Sequence, residues 1–129
     1  MGVGGACVTV LSEAKGRSHM QMLPHHKLIA FGVAKEMLLA VKGANIRDTG
    51  LRDQALRAAK SACLNAAEGA GRVTRADKAR AYAIARGEAV EAAAAVEIAA
   101  ACGSASEADS TRVAILADRV VALLTPLVR

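Results

Sequence analysis

A chain of 129 residues, 53% of them apolar, builds one domain around one core and is too short for two ordinary domains. Its 17 Lys and Arg against 12 Asp and Glu leave a net charge of +5, which permits an anionic partner without naming one. Alanine fills 31 positions, Phe31 and Tyr82 are the only aromatics, and Pro24 and Pro126 lie near the ends; this distribution excludes a typical β-sheet protein and favours a long uninterrupted helical middle.

Residues 1–22 read as a Gly- and Ser-containing leader without periodicity, ahead of a domain over residues 23–129. The leader is expected to be mobile. Its open readings are a native arm, a start codon assigned too early with Met20 or Met22 as the true beginning, or an expression remnant. Its apolar part is short and has no basic residue before it, so a signal peptide is not expected. Helix one is expected from Pro24, preorganised for a first turn, to about Lys42, with Gly43 as the stop. Its apolar ladder is Ile29, Val33, Met37 and Val41, with Leu28, Phe31 and Leu38 alongside.

After a linker, Ala44 to Asp48, Thr49 is expected to cap helix two, which runs to about Ala67 and closes at Glu68-Gly69-Ala70-Gly71. Thr74 with Asp77 forms a capping box for helix three, which continues to Cys102 before Gly103 and spans on the order of 43 Å. Ser106 with Asp109 repeats the cap for helix four, whose stripe is Val113, Leu116, Val120, Leu123 and Leu127. Short connections between these helices predict an all-α, antiparallel up-down-up-down four-helix bundle. Buried methyl groups remove little apolar area from water, at roughly 25 cal/mol per Å². The core of one protomer is therefore thin, and burial against a second copy is expected, making the chain a homo-oligomer.

Charge is divided along the chain. From Lys42 to Arg86 ten Lys and Arg face four acids, a balance of +6, whereas Glu88 to Asp109 holds five acids and no base, a balance of −5. An antiparallel hairpin pivoting near Arg72 and Val73 would set Arg57 against Glu88 and Gln54 against Glu91. One reading of the division is interhelical pairing with solvated faces. The other is a basic end that holds phosphate backbone, with Arg72, Arg75, Lys78, Arg80 and Arg86 as candidate nucleic-acid contacts. The chain has no aromatic stacking platform and no recognised base-reading module.

The segment Leu51-Arg-Asp-Gln54-Ala-Leu-Arg57-Ala58-Ala-Lys-Ser61-Ala-Cys-Leu-Asn65-Ala-Ala67-Glu68-Gly69-Ala-Gly-Arg72, followed by Tyr82-Ala-Ile-Ala85-Arg86-Gly87-Glu88-Ala-Val-Glu91, is specific. It resembles the bacterial four-helix bundle family found inside intervening sequences of 23S ribosomal RNA genes, and the resemblance covers about residues 22–128. It implies a ring-like homopentamer without enzymatic activity, similar to the accessory protein of diversity-generating retroelements, which binds a reverse transcriptase and nucleic acid. By position Gln54, Arg57, Ser61, Asn65, Glu68, Gly69 and Arg72 match the family's helix-two motif, and Gly87 and Glu91 match helix three. Glu88 departs from it, standing where the family has a small Ser. Without any ligand the motif also reads as one polar stripe at i, i+3 and i+4 that sets helix register, with Gly69 and Gly87 allowing close backbone approach.

No catalytic or metal chemistry is indicated. Glu88 and Glu91 are one turn apart, but a di-metal bundle site needs Glu-x-x-His pairs and no His follows His26. His25 and His26 are expected to diverge as ordinary surface residues. Cys7, Cys63 and Cys102 are scattered, without a C-x-x-C pair, which fits free thiols in a reducing cytoplasm. Glu91, Glu97 and the Asp118-Arg119 pair interrupt the longest apolar stretches, so no membrane span is expected. The expected function is a non-enzymatic oligomer, without cofactor, that associates with RNA or DNA. The alternative is a protein-interaction scaffold, docking a protein partner on the leader or on the smooth Ala92 to Ala95 run.

Overall fold

Helix-favouring composition and three side-chain caps resolve into four α-helices in the computed structural model, which describes residues 22–129. They are α1 (Ile29–Gly43), α2 (Thr49–Gly71), α3 (Arg75–Ala101) and α4 (Glu107–Leu124), with short 3-10 turns at Pro24–Lys27 and Thr125–Val128. The described residues contain no strand. The leader reading and Cys7 lie outside the described residues.

Local chemistry accounts for most boundaries. Thr74 Oγ1 accepts from the Asp77 amide at 3.1 Å and Ser106 Oγ accepts from the Asp109 amide at 3.0 Å, capping α3 and α4. At α2 the cap is Asp48, not Thr49. The Asp48 carboxylate accepts from the Leu51 amide at 2.9 Å, and Thr49 becomes the first helical residue. Pro24 opens a 3-10 turn instead of α1, because Leu28 is extended (φ −92°, ψ 112°) and the α-helix begins one residue later. Gly43 stays helical. The left-handed residue is Asn45 (φ 48°), whose side chain donates to the Gly43 carbonyl at 3.0 Å. Past α3 the reversal falls on Gly103, with φ 76°.

Each helix packs on its neighbour in sequence, and α4 closes onto α1. Antiparallel packing of α2 and α3 is fixed by three crossings: Arg57 with Glu91, Ser61 with Glu88, and Gly69 with Tyr82. At one end the α1–α2 link is stitched to the α3–α4 turn: the Arg47 amide donates to the Ser104 carbonyl at 3.0 Å, and the Asp48 amide donates to Ser104 Oγ at 2.6 Å. The result is an up-down-up-down four-helix bundle. Among the described residues no helix is long and apolar enough to cross a membrane.

The core is thin in an uneven way. The fully buried residues of α2 are Ala55, Ala58, Ala59, Ala62, Cys63, Ala66 and Gly69, none larger than a thiol, and its Leu51 and Leu56 only reach the core's edge, half-buried. The bulky groups come from elsewhere: Met37 and Val41 on α1, Ile46 in the link, Val96 on α3, and Val113, Val120 and Leu124 on α4. Burial pushes the pKa of the Cys63 thiol up, a shift that the nearby Lys35 charge opposes. Two expected core positions and one expected surface run are corrected. Ile29, 68% exposed, starts α1 before the helix meets its neighbours. Leu127 falls in the terminal 3-10 turn and is exposed; the α4 stripe is Val113, Ala117, Val120 and Leu124, with the expected Leu116 and Leu123 half-buried against the core beside it. Ala92 and Ala95 are core residues, so the alanine run on α3 does not form one outer docking surface.

Gly69 is where this packing is tightest. A Cβ there would stand 2.6 Å from the Tyr82 ring, so the glycine is required by contact, and α2 passes through it to Gly71 instead of closing at Glu68. Gly87 is different: it is exposed, and nothing lies within 4 Å of a Cβ built there, so no close approach within the protomer demands it. Gly69→Ala should lower unfolding free energy by about 1–3 kcal/mol through overpacking. Gly87→Ala should raise it by about 0.5–1 kcal/mol. Urea denaturation at one fixed protein concentration checks both; equal effects at the two glycines would contradict this assignment.

Candidate functional site

The helix-two motif is a ladder of polar side chains along the α2–α3 seam. Arg57 donates to Glu91 at 2.6 Å, and the Ser61 hydroxyl donates to Glu88 at 2.9 Å. Asn65 turns back along its own helix to the Ser61 carbonyl at 2.9 Å and Ser61 Oγ at 3.0 Å. Gln54 stands at the exposed end of the stripe. The expected register, Arg57 on Glu88 and Gln54 on Glu91, is off by about one helical turn. The observed crossings place the pivot near Thr74 and Arg75, past the expected Arg72 and Val73, and Arg57 meets the next carboxylate along α3. Glu88, the residue that departs from the family pattern, is thereby matched to a hydroxyl and not to an arginine.

The ladder is not buried. Only Gly69 among the motif residues is fully enclosed, while Ser61, Asn65, Glu88 and Glu91 are half-buried and Arg57 and Glu68 are exposed. It therefore sets register through hydrogen bonds at the rim of the seam, next to a small-residue interior.

The five candidate phosphate contacts divide by what already holds them. Lys78 is half-buried and turned back onto α2, donating to the carbonyls of Ala70 at 2.9 Å and Gly69 at 3.3 Å. It supplies positive charge to a helix C-terminus whose own last turn has no basic residue. Arg86 faces the α4 side, where its Nε donates to Thr125 Oγ1 at 2.9 Å, away from the α2–α3 turn. Arg72 is paired with Glu68 one turn back, and that hydrogen bond and charge push its high pKa further up. Arg75 and Arg80 are exposed, and neither forms a salt bridge among the described residues. Arg72 and Arg80 share a shallow groove of about 200 Å³ with Asn65, Glu68, Asp77 and Ile84. The turn thus puts Arg72 and Arg80 in one groove, leaves Arg75 exposed at the start of α3, gives Lys78 a structural task and leaves Arg86 apart.

A second cationic place was not singled out from the sequence. Lys42, Arg47 and Arg52 line one groove between α1 and α2, at the opposite end of the bundle. Their closeness in sequence was the available signal, but only the fold shows that they converge.

Among the described residues no three of His, Cys, Asp and Glu come together as a metal site. His25 and His26 do not diverge as expected. The 3-10 turn brings their rings to 4.2 Å, and His26 Nδ1 accepts from the Leu23 amide at 3.1 Å. Cys63 is buried and Cys102 exposed, both as free thiols.

The pairing along the seam has a direct check. A double-mutant cycle on Arg57→Ala and Glu91→Ala should give a coupling of about 0.2–1 kcal/mol that shrinks with added salt, as for a solvent-exposed pair. The same cycle between Arg57 and Glu88 should give none.

The family described as 23S rRNA-intervening sequence protein matches residues 26–126, and the chain belongs to that family. No curated protein matches it.

Proposed function

We propose that this member of the 23S rRNA-intervening sequence protein family is a non-enzymatic accessory factor that assembles as a ring, five-fold by the family resemblance, and associates with structured RNA or DNA in the cytoplasm. The observation that carries the reading is the α2–α3 turn, where Arg75 and Arg80 are exposed without a salt-bridge partner beside Arg72. Cations held at a turn between two well-anchored helices are positioned for phosphate at little entropic cost, and each phosphate neutralised releases counterions. Glu68 and Asp77 lie among them, so one protomer binds weakly. Repetition around a ring converts weak contacts into useful avidity.

A second reading, a scaffold ring without a nucleic-acid role, draws on the outer face of α3, where Ile84, Val90 and Ile98 are exposed. Anisotropy titration of the assembled protein with structured RNA and DNA at low salt separates the two. Under the first reading, binding weakens linearly in log–log against salt, with a slope of about −0.9 for each phosphate contacted on a duplex. Arg75→Ala with Arg80→Ala should flatten that slope by about 2 or more, and Lys78→Ala should act mainly on stability. No binding by the assembled wild type would leave the scaffold reading alone.

A further inference from the structure

Two opposite faces of the bundle carry opposite charge. Between α1 and α2 lies a groove of about 470 Å³ with Ile46 and Leu56 in its floor and three cations, Lys42, Arg47 and Arg52, in its walls; no carboxylate lines it. Between α3 and α4 lies a groove of about 530 Å³ lined by Glu97, Glu107 and Asp118, with Arg119 as the only cation and Ile115 exposed within it. The helices pack in chain order around the bundle, with α4 closing onto α1 and no contact between α2 and α4, so these faces are back to back. Both grooves lie toward the end where Arg47 and Asp48 are hydrogen-bonded to Ser104.

Among the described residues none of these charges forms a salt bridge. The salt bridges among the described residues, Arg57–Glu91 and Arg72–Glu68, belong to the α2–α3 side. Asp48, next to the cationic groove, is occupied as the α2 cap, and Asp53 does not line it. Arg47 donates to the Gly103 carbonyl, a neutral acceptor that leaves its charge unpaired.

We propose that the cationic α1–α2 face of one protomer receives the acidic α3–α4 face of a second copy of this chain, with Lys42, Arg47 and Arg52 against Glu97, Glu107 and Asp118. This rests on the oligomeric reading above and names its interface. Two unlike patches in contact make a heterologous interface, which cannot give a simple two-fold dimer and instead closes into a ring when the rotation per copy divides the circle. Because both grooves lie toward the same end, copies joined through them stand side by side, with the rotation axis parallel to the helices. Every copy's α2–α3 turn then lies on one rim, which concentrates Arg72, Arg75 and Arg80 on a single surface.

The test is native mass spectrometry and light scattering of the full chain, with circular dichroism confirming the helical fold of each variant. Lys42→Glu with Arg52→Glu, and separately Glu97→Lys with Asp118→Lys, should each shift the wild-type oligomer toward monomer, with dissociation at more than about tenfold higher protein concentration. The quadruple variant, with both faces reversed, should recover the wild-type mass. An oligomeric wild type whose mass neither reversal disturbs, or a quadruple variant that stays monomeric like its parents, would overturn this interface and leave oligomerisation standing. A monomeric wild type would remove the oligomeric reading itself.

Discussion

Small side chains packed on small side chains, along the seam between α2 and α3, are the constraint from which the rest of the molecule follows. Because the fully buried face of α2 is only alanines, Cys63 and Gly69, its backbone can lie close against α3, and at Gly69 it lies against the Tyr82 ring with no room for another carbon. Close helices bring short polar groups into reach across the seam, so Ser61 can bond Glu88 directly and Asn65 can brace Ser61. Methyl groups alone specify register poorly, since sliding one helix past another exchanges one alanine for another. The hydrogen bonds of the ladder supply the specificity that the apolar contact lacks.

The same shortage of large side chains explains the burden carried by charge. Within the protomer, Lys78 closes the end of α2 and Arg57 crosses to α3. Outside it, Arg75 and Arg80 at one end, and the cations and carboxylates of the two opposing grooves toward the other, have no internal counterpart among the described residues. The proposals for nucleic acid and for self-association use different sets of these residues, so either can stand without the other. They are linked geometrically through a rim shared by all copies.

Four helices, their order and the caps at Thr74 and Ser106 were legible because side-chain capping is local chemistry. The cap of α2 was not, since Asp48 and Thr49 are both competent and the choice is reinforced by a bond from the Asp48 amide to Ser104, more than fifty residues away. Gly69 and Gly71 read as a helix stop because glycine usually is one; here Gly69 answers to the ring of Tyr82, a contact visible only once α3 is folded back. The same ring contact, with the Ser61–Glu88 bond, sets the register that gives Arg57 its partner Glu91. The candidate cations were visible as a run, but a run cannot say which members the fold already holds, as it does Lys78 on the α2 carbonyls and Arg86 on the Thr125 hydroxyl.

The alanine seam also inverts the usual order of mutational tolerance. In most cores an exchange of one aliphatic group for another of like size is the mildest change, and adding a hydroxyl is worse. Along the α2–α3 seam most buried positions are alanines with no larger aliphatic group to exchange, and Val in place of a buried alanine must wedge two helices apart. Serine adds a single atom, and within a helix its hydroxyl can bond the carbonyl one turn back, as Thr125 does to Val121 at 2.6 Å. Sequence drift in this interior is therefore channelled toward small residues of either polarity, with volume, not hydrophobicity, as the filter.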